Sequence, residues 1–272
     1  MDILGISCYF HDAAAALVRD GELVAAAEQE RFSRKKHDAG FPRSAIDFCL
    51  RAGGLRAEDL DYVVFHEKPF VKFERLLLSS LVAFPRSRRL FLESMLAWLG
   101  DKLWIKSLIQ RELGVPPRRI LFAEHHLSHA ASAFLPSPFQ EATVLTIDGV
   151  GEWTTSTWGA GRGFQIDLCG ETRFPHSLGL LYSAFTAFLG FEVNEGEYKV
   201  MGLAPYGRPR YQEEVYKTVR VGADGALELD MDYFSFHRTP DRTFTPKFAR
   251  LFGEPRDPRD PGLEEAPPAD QG

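Results

Sequence analysis

Two stretches of this chain follow one plan, and that repetition constrains the fold more than any other feature. "ILGISCYFHDAAAALVRDGELVAAAEQE" (Ile3 to Glu30) reads as strand, His-Asp loop, strand, Asp-Gly turn, strand. "EATVLTIDGVGEWTTSTWGAGRGFQIDLCGE" (Glu141 to Glu171) reads as strand, Asp-Gly loop, strand, glycine-rich turn, strand. The likeness is one of architecture and not of identity. Two such units predict a duplicated α/β fold, with mixed sheets flanked by helices and a ligand held between two lobes.

The segments between and after them fill in the plan. "PRSAIDFCLRAGGL" carries apolar residues at helical spacing and ends in Gly-Gly, a helix with its C-cap. "DLDYVVFHE" and "RRILFAE" read as short strands, and "HHLSHAASAF" opens a helix. Between Lys68 and Leu113 the chain is amphipathic and rich in Phe, Leu, Trp and Arg. Its arginines gather around Pro85, so we read an inserted helical pair in preference to a membrane-surface element. Ordered structure is expected over residues 1–252, and the Pro-, Gly- and acid-rich residues 253–272 read as a linker or frayed tail.

Bulk properties exclude several classes. A formal net charge of -6 gives no nucleic-acid footprint, and no apolar run reaches membrane-spanning length. The start "MDILGISCYF" has no basic region ahead of an apolar one, and Cys8, Cys49 and Cys169 form neither a disulfide framework nor a zinc pattern. These features predict a cytoplasmic protein with reduced thiols.

The chemistry concentrates in "AEHHLSHAASAFLPSPFQEATVLTIDGVGEW". On a helix His125 and His129 stand at i and i+4, one turn apart on one face, whereas His126 points about a hundred degrees away. This spacing offers two imidazoles to one metal, and Asp148, read as lying at a strand end, would complete a two-nitrogen, one-oxygen set for iron or another first-row ion. The same spacing is also that of an ordinary helix surface, and strand-end Asp-Gly is ordinary turn chemistry. Two loops place small residues directly after a strand, His11 to Gly21 and Asp148 to Ser156. Backbone N–H groups at Gly149 and Gly151, beside Glu152, are candidates to cradle phosphate. Each loop is equally readable as a tight turn, but a pair in one chain fits the two-phosphate-loop superfold of actin, sugar kinases and chaperones.

With these motifs in place, "EHHLSHAASAF", "TIDGVGEW" and above all "SLGLLYSAFTAFLGFEVNEGEYKVMGLAPYG" (Ser177 to Gly207) resemble carbamoyltransferases of the nodulation-protein and tobramycin-carbamoylating type. The resemblance runs from Asp2 to about Gly253. It implies an N-terminal actin-like domain followed, in the family, by a YrdC-type domain that makes carbamoyl adenylate from carbamoyl phosphate and ATP. The actin-like domain then passes the carbamoyl group to a hydroxyl of a small-molecule acceptor such as a sugar or aminoglycoside. The resemblance also assigns iron(II) to His125, His129 and Asp148.

On this reading His11 is either the general base, its unperturbed pKa lying near working pH, or a loop histidine capping backbone groups, and Asp12 orients it or caps the turn. "NEGEYK" by itself reads as a solvated loop of mixed charge; with the resemblance, Lys199 is expected to meet a phosphate, and Glu195, Gly196 and Glu197 to meet the acceptor. Relative to that family the second lobe and the YrdC-type domain are expected in cis or in trans, and a homodimer is compatible with the sequence. The competing readings are a non-catalytic or split binding subunit, and a threonylcarbamoylation-type relative acting on tRNA.

Overall fold

A computed structural model describes residues 1–259 except His11, Asp101 and Pro240. The chain forms two compact units, Met1–Arg75 with Glu93–Ser132, and Leu76–Leu92 with Ala133 onward.

The first unit is built on a five-stranded sheet of order β3-β2-β1-β4-β5. Strands β1 (Asp2–Ser7), β2 (Ala14–Arg19) and β3 (Glu22–Glu28) form an antiparallel meander. Its Asp20-Gly21 turn takes positive φ at both residues, as the sequence predicts for a two-residue hairpin. A short helix α1 (Glu30–Ser33) follows, then α2 (Arg43–Gly53), which ends on Gly54 in the left-handed conformation. Strand β4 (Tyr62–Phe65) adds parallel to β1.

The predicted helical pair is present as α3 (Pro69–Val82) and α4 (Arg88–Gly100), followed by α5 (Ile105–Leu113). Strand β5 (Ile120–Phe122) adds parallel to β4, and α6 (His125–Phe134) leaves the sheet edge two residues later. Alternation places Leu4, Ile6, Ala15 and Leu17 on one sheet face, where they bury with Ile46 and Cys49 of α2 and Ile105 and Ile109 of α5. An antiparallel meander extended by parallel crossover strands makes this a mixed sheet, flanked by helices as the sequence predicts.

The second unit opens with another antiparallel meander, β6 (Glu141–Gly151), β7 (Thr154–Arg162) and β8 (Gln165–Arg173). The repeated plan read from the sequence is therefore a repeated meander. Helices α7 (Leu178–Phe188), α8 (Glu197–Leu203) and α9 (Gln212–Tyr216) follow, then a hairpin of β9 (Val219–Val221) and β10 (Leu227–Leu229), and α10 (Pro246–Phe252). Leu181, Ala184 and Phe188 of α7 bury against Val219, Leu229, Phe234 and Phe248. Ring centroids 4.9 Å apart for Phe185–Phe248 and 5.4 Å for Phe188–Phe248, both edge-on, make this an aromatic core.

Three expectations need correction. Asp148 does not end its strand: β6 runs on to Gly151, but its register with β7 breaks between Ile147 and Gly151, so Asp148 sits in a bulge. "GAGRG" is not a turn for most of its length, because Gly159 to Arg162 are paired inside β7 and only Gly163 turns. The segment after Gly253 is not loose from its first residue, since Arg256 N–H donates to Phe188 O at 2.9 Å. Residues 260–272 of the expected tail lie outside the described residues. No helix among the described residues is long and apolar enough to cross a membrane.

Candidate metal centre and its surroundings

The helix α6 begins at His125 directly after β5 and a two-residue connection, so the parallel sheet edge fixes where its first turn points. On that turn the Nε2 atoms of His125 and His129 face one another at 3.0 Å. Two nitrogens bound to one first-row cation at about 2.1 Å and near a right angle are separated by about 3.0 Å. The donor pair therefore fits a divalent ion: both donors are imidazole nitrogens, and both converge on one point. Ser128, between them in sequence, donates to His66 O and Glu124 O, each at 3.0 Å, which fixes the helix start to the end of β4. His126, expected to point elsewhere, is buried.

Behind His125 lies a buried charged group that the sequence reading did not single out. Glu67 and Lys72 are 6% and 8% exposed, and Lys72 Nζ donates to Glu67 Oε2 at 2.7 Å. The same carboxylate oxygen stands 3.7 Å from His125 Nδ1 and 3.9 Å from His66 Nε2. Burial pushes the Glu67 carboxyl up, but the neighbouring His125 imidazole and the Lys72 charge outweigh this and hold it at about 2. Burial pushes the His66 imidazole down to about 4 against the opposing pull of Glu67, so this ring is neutral at neutral pH. Lys72 also lies over the ring of Phe10, 4.7 Å from its centroid.

The donor atoms of His66, Glu67 and His125 also group closely enough to hold a metal. The ammonium of Lys72, 2.7 Å from the carboxylate of that group, already supplies its positive charge and opposes a second cation there.

The remaining sequence-predicted residues fall as follows. His11 lies outside the described residues. Asp12 adopts φ +45°, and its Oδ1 stands 2.9 Å from Nδ1 of His37, a partner not foreseen from the sequence. Asp148 belongs to the second unit, where its Oδ1 accepts from Gly149 N–H at 2.6 Å. The Gly149 amide is thus turned onto the neighbouring carboxylate. Gly151 ends β6, and Glu152 is buried at the following turn with φ +54°.

Ser177, within the long motif but not recognised from it, donates to Gly149 O at 2.7 Å with Asp148 O at 3.2 Å, tying the Asp148 bulge to the start of α7. Glu195 and Lys199 are exposed and Gly196 is buried. Glu197 begins α8, and its Oε1 accepts from Ser183 Oγ at 3.0 Å and Asn194 N–H at 3.1 Å, so this carboxylate shapes its own turn.

Residues 2–262 match the family described as carbamoyltransferase N-terminus. The chain belongs to this carbamoyltransferase N-terminal family. A Synechocystis protein, sll1178, is 53% identical over 264 residues, covering 93% of this chain and 42% of that protein. The nodulation protein NolNO of Sinorhizobium fredii is 38% identical over 215 residues, 77% of this chain and 30% of its own length. The chain thus spans less than half the length of these relatives. Among solved structures, YeaZ from Pseudomonas aeruginosa matches with a TM-score of 0.36 at 13% identity, over 64% of this chain and 67% of that one.

Proposed function

We propose that this chain is the acceptor-side portion of an O-carbamoyltransferase that takes carbamoyl adenylate and transfers the carbamoyl group to an alcohol. The observation that carries the reading is the convergence of the His125 and His129 Nε2 atoms at 3.0 Å in a chain of the carbamoyltransferase N-terminal family. His125 and His129 are the proposed nitrogen ligands of a divalent first-row metal, iron(II) by the family resemblance, and Asp148 is the proposed oxygen ligand. Such an ion supplies Lewis-acid stabilisation of the carbamoyl carbonyl or of phosphate oxygens.

A carbamoyl adenylate is a mixed anhydride and already activated, so the protein's task is positioning and oxyanion stabilisation. The acceptor oxygen bonds to the carbamoyl carbon, the bond from that carbon to the adenylate oxygen breaks, and AMP leaves. The hydroxyl proton passes to His11 in this proposal. Lys199, exposed on α8, carries the charge expected to meet a phosphate, with the end of β6 and the turn after it, residues 149–152, as the second phosphate loop. Glu195 and Gly196 are the proposed acceptor contacts, and Glu197 contributes by shaping their turn.

The proposed donor is made from ATP and carbamoyl phosphate by a YrdC-type domain beyond this segment. The test joins this chain to the remainder of a full-length relative and supplies both compounds with a panel of sugar and aminoglycoside acceptors. Mass spectrometry is expected to find a carbamoylated acceptor, lost in His11→Gln. Accumulation of carbamoyl adenylate with no carbamoylated acceptor of any kind would overturn the reading.

A further inference from the structure

Glu67 stands between a buried ammonium and a proposed metal ligand, and its position is hard to account for by stability alone. A buried ion pair seldom gains more than an apolar pair of similar volume in its place, because desolvating two charges consumes most of their attraction. Here both side chains are nearly fully enclosed, at 7% and 10% exposure. What the pair does provide is a fixed anion beside Nδ1 of His125.

That anion has a chemical consequence for the other edge of the ring. A neutral imidazole carries one proton, and its ligating nitrogen must be the one without it. If the His125 proton sits on Nδ1, facing Glu67, then Nε2 presents its lone pair toward His129 and toward a cation. If it sits on Nε2, the ring cannot ligate from that edge. A carboxylate behind a ligating histidine is a general way of fixing this choice and the ring's orientation.

We propose that Glu67, anchored by Lys72, is a positioning residue that holds the His125 proton on Nδ1 and so commits Nε2 to the metal. This rests on the metal reading given above. His66, whose Nδ1 is buried without a hydrogen-bond partner, brings its Nε2 to 3.9 Å from the same carboxylate oxygen. The carboxylate is thus surrounded by one ammonium and two imidazole rings, and the ammonium at 2.7 Å is the contact that pins it.

Two measurements on the whole chain test this. In the metal-free protein with 15N-labelled histidine, long-range 1H–15N spectra assign the tautomer of His125, identified by its loss in His125→Gln. The expected form is protonated at Nδ1; protonation at Nε2 overturns the proposal without any variant having to fold. Second, cobalt(II) serves as probe, its visible absorption and titration giving coordination and affinity. The double variant Glu67→Met with Lys72→Met keeps the packed volume and removes both charges. It is expected to fold and to bind cobalt(II) about 10–100-fold more weakly than wild type. Wild-type affinity in a folded double variant overturns the proposal. Wild type that binds no cobalt(II) overturns the metal reading itself, a result distinct from either of the others.

Discussion

Ser177 holds Asp148 in place through the backbone. Its hydroxyl donates to Gly149 O at 2.7 Å with Asp148 O at 3.2 Å, and its Oγ accepts from Leu180 N–H at 3.0 Å as the N-cap of α7. One side chain thus starts the helix and clamps the bulge that carries the proposed oxygen ligand. Two positions on, Gly179 lets the helix approach that bulge: a Cβ there would lie 2.5 Å from Asp148 O and 2.6 Å from Gly149 N.

The two substitutions at this contact are expected to differ in size. Ser177→Ala loses the cap and one further hydrogen bond and is expected to cost about 1–2 kcal/mol. Gly179→Ala must push backbone from backbone and is expected to cost about 1–3 kcal/mol. Urea unfolding of both variants measures this. A Gly179→Ala midpoint equal to wild type would show that the helix does not pack on the Asp148 bulge as described.

The three thiols should react very unequally. Burial, with a smaller contribution from the Glu67 charge, pushes the Cys8 thiol up to about 12, and burial also raises Cys49. Cys169 is exposed on β8. An aromatic disulfide reagent at pH 8 is expected to label Cys169 rapidly in the native chain and all three cysteines only after unfolding. Rapid native labelling of Cys8 would contradict its described burial.

His237 should make stability fall on the acid side of neutrality. Arg238 Nε donates to its Nε2 at 2.7 Å, and burial first, then the charges of Arg238 and His176, hold the ring at about 4. The folded value lies below the unfolded one of about 6.5, so the unfolded chain takes up the proton first. Stability is therefore full above pH ~6.5, declines as pH drops toward ~4, and is flat with respect to this group below that. Chemical unfolding across this range should show a shallower slope in His237→Gln than in wild type; an unchanged slope would remove His237 as its source.

Periodicity made much of the frame legible. The two meanders, the capped helix ending on Gly54 and the His125–His129 face all follow from alternation, turn residues and i, i+4 spacing. Long-range packing decided what could not be read. Asp-Gly at 148 and 149 signals a turn, yet the strand continues because a bulge absorbs the irregularity and Ser177, 29 residues away from Asp148, holds it.

The glycines of "GAGRG" suggested a loop, but at Gly161 the space of a Cβ is taken by the ring of Phe134, 2.5 Å away, so the glycine serves a packed strand. Glu67 ends "DLDYVVFHE", read as a strand, and Lys72 lies in the amphipathic segment that follows it. Only the fold encloses them and sets them behind His125. The aromatic core around Phe248 was hidden in the same way, by the charged residues between its members.

The most direct measurement is anaerobic iron(II) binding by the purified chain, beside His125→Ala, His129→Ala and Asp148→Ala, with circular dichroism to confirm folding. Wild type is expected to bind close to one iron per chain, and each folded histidine variant to lose it, with Asp148→Ala testing the proposed oxygen ligand. Undiminished binding in both histidine variants, or none by wild type, would contradict a metal centre at the 3.0 Å His125–His129 pair.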